Sequence, residues 1–576
     1  MERTQIQKKF KLNGLSLDPK ALDYLHNLVT RVDSSKQDKV VNRIIDSLIN
    51  LNLENPKISL TQCEDAIKVC KTESNYESEV LSTVSAFRLP KIYFNHEMKK
   101  FLIDTSPSHI FSNECIQRSK LYNNRYDINL SDFRISPIES LQHTSSSNEF
   151  VVFGMLVKVS SSKFVLEDTT SIIDLNLDRA SFHSNLCPEG CFVLVEGTVM
   201  NRVLQVSGIG LPTLTSKPYS NVSSKTEASG IRQITLPDPL CGVNTLCQLE
   251  SLHKVLTCTQ TGADSMVILL GRVTLNGCNT MSRLIQLFNG FAATSPNAFI
   301  MYGNFITTKS KSSSKFNSKQ IKTLQTYLKQ LLVIYCTAFP EPKIRPHLIL
   351  IPGPNDPTLS PSRVLPSAPI NPNAVPTEYH RDLANPEDLF DSDVASGYAK
   401  LKGRKWIHLG SNPLRMRIFN KTAIFFTAEY SKIFFKNSIN SPEDGHLPEE
   451  KCEDEVYGEA LKQCIISQQH LLPLPIEISL VHWNYDSALS IFPGPDLVCI
   501  CDPSSMFNFP QENDENQLTQ FVSLKKFGDL VSSQKDEAPD AEEAPTSSDK
   551  QLGFDFNFKV WYPTTCCVED SRLPDI

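Results

Sequence analysis

Two hydrophobic rhythms run along the chain, and the change from one to the other divides it. Near the N-terminus apolar residues recur three and four apart. Leu22, Leu25, Leu28, Val29 and Val32 form one stripe, and Val40, Val41, Ile44, Ile45, Leu48 and Ile49 form a second. That spacing belongs to amphipathic helices with one buried face. Asp18-Pro19 offers an N-cap with proline at the first helical position. Thr61, with Glu64 three residues on, predicts a capping box that opens a third helix through Ala66, Ile67 and Val69. The prediction is a small N-terminal helical bundle over residues 1–75, then a linker and lead-in over 76–149, with Ser, Thr and Glu common around 72–85.

From residue 150 the period shortens to that of strands. FVVFGMLVKV (150–159), KFVLED (163–168), SIIDLNL (171–177), CFVLVEGTV (191–199) and RVLQVSGIG (202–210) follow one another closely. Five short strands with one longer gap predict an OB-type β-barrel over 150–212, with a helix in the gap at 178–190. Phe150, Phe153, Phe164, Phe182 and Phe192 sit mostly inside apolar strands, so they read as core before they read as a stacking platform for single-stranded nucleic acid.

A polar connecting segment, 213–262, separates the barrel from a third pattern. Strands at MVILLG (266–271), NAFIMYGNF (297–305) and HLILIPG (347–353) alternate with helical patterns over Met281–Phe291 and Ser318–Ile334. This β-α-β-α-β order predicts a mainly parallel sheet layered with helices over residues 263–576. Later strands are predicted at AIFFTAEY (423–430), PIEISLVHW (475–483), PDLVCICD (495–502) and FDFNFKVWYP (554–563). The last alternates strictly and so reads as antiparallel and half-buried. Polar, acidic stretches at 437–455 and 532–550 read as insertions, the second of them disordered. The fold class is multidomain α/β.

Composition narrows the picture. A chain of 576 residues is too long for one ordinary core. A net charge of −7 excludes a protein whose main task is coating nucleic acid. Locally, Lys309, Lys311, Lys315, Lys319 and Lys322 occur with no acid among them, either as a solvated loop entering a helix or as a phosphate-backbone contact. The 16 cysteines are scattered without a Cys-x-x-Cys pair, which fits reduced thiols in an intracellular protein better than a zinc ribbon or a secreted disulfide framework. No apolar run approaches the ~20 residues of a membrane span, so the expectation is a soluble protein without a membrane partner.

Active sites in open α/β sheets gather at the carboxyl ends of the strands, which directs attention to the loops 271–276, 303–307 and 353–357. A dinuclear phosphoesterase centre holds two metals about 3.5–4 Å apart and draws its ligands from Asp-x-His, Gly-Asp and Gly-Asn-His loops. Here Arg272 and Thr274 stand in the first, Asn304 in the second, and Pro354 and Asn355 in the third. An arginine there repels a divalent ion. Asp356, His470 and the Cys499–Asp502 stretch are too few to replace the lost ligands. Walker, Gly-x-Ser-x-Gly, His-Glu-x-x-His and complete Gly-x-Gly-x-x-Gly motifs are missing. The prediction is no catalytic residue, no cofactor and no metal, with degenerate ligand positions at Arg272, Thr274, Asn304, Pro354 and Asn355. The competing reading is an active metal-dependent phosphoesterase or nuclease with atypical ligands.

A barrel followed by such a layered domain resembles the B-subunit family of eukaryotic replicative DNA polymerases. The stretches FVVFGMLVKVSSSKFVLEDTTSIIDLNL, NAFIMYGNF, LILIPGPNDP, LLPLPIEISLVHWNYDSAL, PGPDLVCICD and FNFKVWYPTTCCVEDSRL are similar to its epsilon branch, more than to the alpha or delta branches, and FKLNGLSLDPKALDYL is similar to that branch's N-terminal domain. The resemblance implies an inactive calcineurin-like phosphoesterase fold, an N-terminal domain like the lid of AAA+ ATPases, and a non-catalytic accessory subunit working in the nucleus. It also implies partners: the zinc-binding C-terminal region of the polymerase catalytic subunit, histone-fold small subunits, and the GINS component of the replicative helicase through the N-terminal domain. Direct contact with DNA stays open.

Overall fold

The structure is a computed structural model. It describes residues 3–30, 57–64, 81–89, 91–95, 100–104, 135–141, 148–160, 163–212, 265–277, 279–307, 318–342, 344–360, 364–384, 405–439, 453–475, 477–492, 494–502, 507–509, 519–529 and 554–574, with isolated positions at 37, 41, 44–45, 48, 67, 122–123 and 125–126. The connecting segment 213–262, the stretch 532–550 and most of 437–455 lie outside these residues, as do Lys309, Lys311 and Lys315.

The N-terminal region opens with a helix that the pattern from Asp18 onward did not include, α1 (Arg3–Leu12), which buries Ile6 and Phe10. Strand β1 (Ser16–Leu17) pairs in parallel with β2 (Lys57–Ile58) and brackets α2 (Pro19–Val29). Proline occupies the start of α2 as predicted. Asp18, however, makes no side-chain cap and instead meets Lys57 at 3.4 Å. The expected Thr61/Glu64 capping box is displaced by two residues. Ser59 Oγ accepts the Gln62 backbone N–H at 3.4 Å while Gln62 Oε1 accepts the Ser59 N–H at 2.9 Å. Glutamine closes such a box as well as glutamate does, so the earlier of two Ser/Thr starts prevails. Leu25, Val29, Val41, Ile44, Leu48 and Ile67 share one core with α1.

The stretch 76–149, expected to be linker and lead-in, carries elements of its own. Strand β3 (Leu81–Ser85) belongs to a sheet built almost entirely from residues beyond 410, and the hairpin of β4 (Lys91–Asn95) and β5 (Lys100–Asp104) and the short helix α3 (Ile138–Leu141) follow it. The barrel comprises β6 (Glu149–Ser160), β7 (Lys163–Glu167), β8 (Ile172–Asn176), β9 (Ser181–Phe182), β10 (Phe192–Met200) and β11 (Val203–Gly210). Strand β10 pairs with both β6 and β11, and β11 pairs with β8, which closes the ring of β6, β7, β8, β11 and β10. No helix occupies 178–190. Instead β9 lies along β11, the His183 N–H donates to Ile209 O at 2.8 Å, and Ser184 Oγ accepts the Leu211 N–H. The Ser184 hydroxyl and the Pro188 carbonyl take backbone N–H groups here in place of helical bonds.

The remaining chain forms two packed sheets. In the first, β12 (Val267–Leu270), β13 (Ala298–Tyr302), β14 (His347–Ile351) and a later strand, β15 (Ile407–Leu409), run parallel. Helices α4 (Thr280–Phe291) and α5 (Ser318–Ala338) cross between them. The second sheet holds β3, β16 (Leu414–Ile418), β17 (Lys421–Thr427), β18 (Leu497–Cys501) and β19 (Gln520–Leu524), with α6 (Tyr430–Lys436) and α7 (Glu453–Gln468) on its far side. After the small β20 (Gly528–Asp529) and β21 (Phe554–Asp555), the strands β22 (Asn557–Tyr562) and β23 (Cys567–Arg572) complete the first sheet in antiparallel sense.

Alternation explains the layering. Ile268, Leu270, Phe299, Met301 and Leu350 face α4 and α5, where Leu284, Leu287, Phe288, Leu328 and Tyr335 meet them. Val267, Leu269, Ile300, Tyr302 and Ile351 face the second sheet, against Met416, Phe425, Leu497 and Cys499. Each such side chain contributes about 1.5–3 kcal/mol by leaving water. Strand β22 was expected to be half-buried. Phe556, Phe558 and Val560 do line the helix-covered core, but Trp561 is fully buried on the opposite face, between the sheets. The expected strand at 475–483 is a turn that leads into a 3-10 helix, Trp483–Leu489. Pro473 and Pro475 lack ladder donors, and Pro475 O takes the N–H groups of Ile478 and Ser479.

On α4, Gly290 is exposed, and nothing lies within 4 Å of where its Cβ would stand. Gly290→Ala is therefore expected to stabilise the protein by about 0.5 kcal/mol, read as a small rise in midpoint by thermal denaturation.

Candidate functional site

The carboxyl ends of β12, β13, β14 and β18 converge, because the first three run parallel and Cys501 at the end of β18 receives the Arg272 backbone N–H. These ends carry the loops 271–276, 303–307 and 353–357 singled out in the sequence. The loop after β13 turns at Gly303-Asn304, and the loop after β14 runs Pro352-Gly353-Pro354-Asn355-Asp356. They lock together: Asn304 Oδ1 accepts the Asn355 N–H at 2.9 Å, and Gly303 N–H donates to Ile351 O at 2.9 Å.

Asp356 is the centre of this arrangement and is 1% exposed. Its Oδ1 accepts the Phe305 N–H at 2.8 Å, and its Oδ2 accepts the Gly353 N–H at 3.0 Å. Burial pushes its carboxyl up to about 7, against the opposing pull of the Gly353, Phe305 and Ile306 N–H groups and of the Arg272 guanidinium. Both oxygens thus serve the loops themselves. A raised folded-state pKa means that Asp356 contributes stability at low pH and loses it as pH rises from about 4 to about 7. Measured by denaturant titration, wild type is expected to lose stability over that window relative to Asp356→Asn, by an amount on the order of a few kcal/mol.

The predicted positions fall as follows. Arg272 is partly exposed, in a left-handed conformation (φ 32°), with its charge felt by Asp356 and Cys501. Thr274 and Asn304 are buried, whereas Pro354 and Asn355 are exposed at the tip of their loop. Cys499 and Cys501 are buried in the inter-sheet core, where burial pushes both thiols up to about 12. His470 shares no hydrogen-bond partner with Asp356. Among the described residues, no group of three or more His, Cys, Asp or Glu side chains is placed to hold a metal ion, and no helix is long and apolar enough to cross a membrane.

His470 belongs to a second cluster that sequence reasoning missed. Arg125, 8% exposed, donates from Nε to Asp486 Oδ2 at 3.0 Å, and its Nη2 meets Asp486 Oδ1. His470 Nδ1 accepts the Leu472 N–H at 3.0 Å, which makes Nε2 the protonated nitrogen, 3.3 Å from Asp486 Oδ1. Burial and then the Arg125 charge lower the His470 pKa, which keeps the ring neutral. Burial works against ionisation of Asp486, but Arg125 and then His470 outweigh it and hold the carboxyl well below the usual carboxylate range. Around this cluster Tyr126 packs on Phe153 and Phe192 of the barrel at 5.3 and 5.8 Å, and Tyr485 packs edge-on to Phe87 at 5.1 Å. The segment before the barrel is thereby pinned to both the barrel and the layered domain. The available signal was a charged residue flanked by polar and aromatic ones in each partner, NNRYD and WNYD.

Three family models match the chain in order. "DNA polymerases epsilon N terminal" matches residues 2–70, and "DNA polymerase epsilon subunit 2-like, OB-fold domain" matches 108–213. The model of the B subunit of DNA polymerase alpha/epsilon matches 266–508. The OB-fold match begins well before residue 150, consistent with Arg125 and Tyr126 packing as part of that unit. The chain is similar to DNA polymerase epsilon subunit 2 of Bos taurus, 26% identical over 99% of this chain and 98% of the relative. It is 26% identical to that of Drosophila melanogaster over 100% of this chain and 98% of the relative. With the DNA polymerase epsilon B subunit of Schizosaccharomyces pombe it shares 22% identity over 73% of this chain and 69% of the relative.

Proposed function

Because the chain belongs to the B-subunit family of DNA polymerase epsilon, we propose that it works as a scaffold within that polymerase and has no catalysis of its own. It is an accessory subunit of polymerase epsilon acting in DNA replication. The finer reading is an inactive phosphoesterase-like domain. The observation that carries it is Asp356, whose two oxygens accept backbone N–H groups from the loops beside it. With Arg272, Thr274, Asn304, Pro354 and Asn355 at the other ligand positions, the residues present do not fit a dinuclear metal centre. The one carboxyl in these loops, that of Asp356, fixes the shape of the two loops instead.

On the family resemblance, the barrel and the layered domain together hold the zinc-binding C-terminal region of the catalytic subunit. The N-terminal helical bundle, like the lid of AAA+ ATPases, reaches the GINS component of the helicase. Histone-fold small subunits complete the complex, and its work on chromosomal DNA places it in the nucleus. The test of inactivity is hydrolysis of bis(p-nitrophenyl) phosphate and of single-stranded DNA by the purified chain with Mn²⁺ or Mg²⁺. Activity no higher than that of Asp356→Ala supports the scaffold. Metal-dependent turnover that Asp356→Ala abolishes would establish an atypical nuclease.

A further inference from the structure

The barrel meets the layered domain along a seam built from the residues just before β10 and the C-terminal end of α7. Gln468 of α7 grips the backbone of Phe192 from both sides: its Nε2 donates to Phe192 O at 2.8 Å and its Oε1 accepts the Phe192 N–H at 2.7 Å. Cys187 O accepts the Ile439 N–H, and the Glu189 N–H donates to Asn437 O. At Gly190, where φ is +85°, a Cβ would press into the Pro475 ring. The backbones on the two sides are therefore fixed relative to each other.

Inside this seam sit two thiols from different parts of the chain. Cys191 Sγ lies 3.8 Å from Cys464 Sγ, and both residues are fully buried. We infer that Cys191 and Cys464 are a modification site, a thiol pair that closes to a disulfide and ties the barrel covalently to α7. The sulfurs start in van der Waals contact at 3.8 Å, and closure to the ~2.05 Å of a disulfide requires the two side chains to approach further. The other described cysteines of the core lack such a partner: Cys499 and Cys501 alternate along β18 and face the inter-sheet core together. Cys187 is close enough to raise the Cys191 thiol, but the sulfur in contact with Cys191 is that of Cys464.

With a low-molecular-weight disulfide such as glutathione disulfide as oxidant, the step balances. One protein thiolate attacks the glutathione disulfide, forming a mixed disulfide and releasing one glutathione thiolate. The second protein thiolate displaces the other glutathione. Two protein S–H bonds and one S–S bond are lost, one protein S–S bond forms, and two glutathione thiols carry away the two electrons and two protons. Burial pushes the Cys191 thiol up and encloses both sulfurs in the seam, so exchange follows local opening of the barrel from α7 and reports that motion.

The test incubates the full chain with glutathione disulfide without denaturant, quenches with acid, alkylates in denaturant and maps unreduced peptides by mass spectrometry. The expected product is a Cys191–Cys464 linked peptide in most molecules. It is reversed by dithiothreitol, retained in Cys187→Ser and lost in Cys191→Ser and in Cys464→Ser. Oxidised wild type should melt at least about 3 °C higher than reduced, because the bridge closes a long loop. If Cys191 and Cys464 of wild type stay alkylatable while exposed Cys567 is fully oxidised, or if Cys191 links to Cys187, the proposal fails. That readout on wild type stands whether or not a variant folds.

Discussion

Arg125→Ala is expected to destabilise the protein by about 3–5 kcal/mol, among the largest effects of any single side chain here. Removing the guanidinium leaves Asp486 buried as an uncompensated carboxylate beside a neutral His470, and an unpaired buried charge costs more than its ion pair contributes. Asp486→Ala should behave alike, with Arg125 left unpaired. The double variant Arg125→Met/Asp486→Leu is expected to recover most of the loss, since a well-packed apolar pair replaces a buried ion pair at little cost. The pH response carries the same signature. His470 resists protonation in the folded state, so its contribution is lost as pH falls below about 6.5, and that of Asp486 fades below about 4. Equilibrium denaturation of the single and double variants at pH 7.5, 5.5 and 3 checks these statements. A loss under 1 kcal/mol for Arg125→Ala would mean that the segment before the barrel is not held through this cluster.

Gly353→Ala is expected to cost about 3 kcal/mol or more. A Cβ there would overlap Asn304 Oδ1 and approach the Asn304 N and Gly303 C atoms within 2.7 Å. The backbone cannot swing away as a flexible side chain would, and Asn304 Oδ1 is already held by the Asn355 N–H. Relief would require the two loops to part, which frees the Gly353 N–H from Asp356 and overpacks a buried junction. Hydrogen exchange should show the loss as faster exchange at Phe305 and Asn355, with the barrel unaffected. Unchanged exchange at both amides would contradict the interlocked-loop account. The same reasoning accounts for the short residues in PGPNDP: the sequence there accommodates close approach of two loops.

Much of this was legible in the sequence, for physical reasons that also mark where legibility ends. Period-two runs such as FVVFGMLVKV and continuous apolar runs such as HLILI announce strands because one or both faces are buried, and the barrel and the parallel sheet follow from them. The run PIEISLVHW is similarly apolar and makes no strand, since Pro475 lacks a ladder donor and its carbonyl takes the Ile478 and Ser479 N–H groups in a turn. Helix starts were ambiguous by two residues because Ser59/Gln62 and Thr61/Glu64 satisfy the same capping rule. The pairing of β3 with β16, and of Arg125 with Asp486, spans more than 300 residues of chain, and nothing local records it. At the candidate site the residue types at each loop position were readable one by one. The double acceptance by Asp356 was not, because it depends on how two loops approach in space.

The central claim is that this chain assembles with a polymerase catalytic subunit in place of performing chemistry. Co-expression with the C-terminal region of a polymerase epsilon catalytic subunit, followed by affinity capture and size-exclusion chromatography, tests it most directly. The account predicts one peak holding both chains in near-equal amount, with no metal-dependent phosphodiesterase activity. Elution of this chain alone, with the catalytic region in a separate peak, would contradict it.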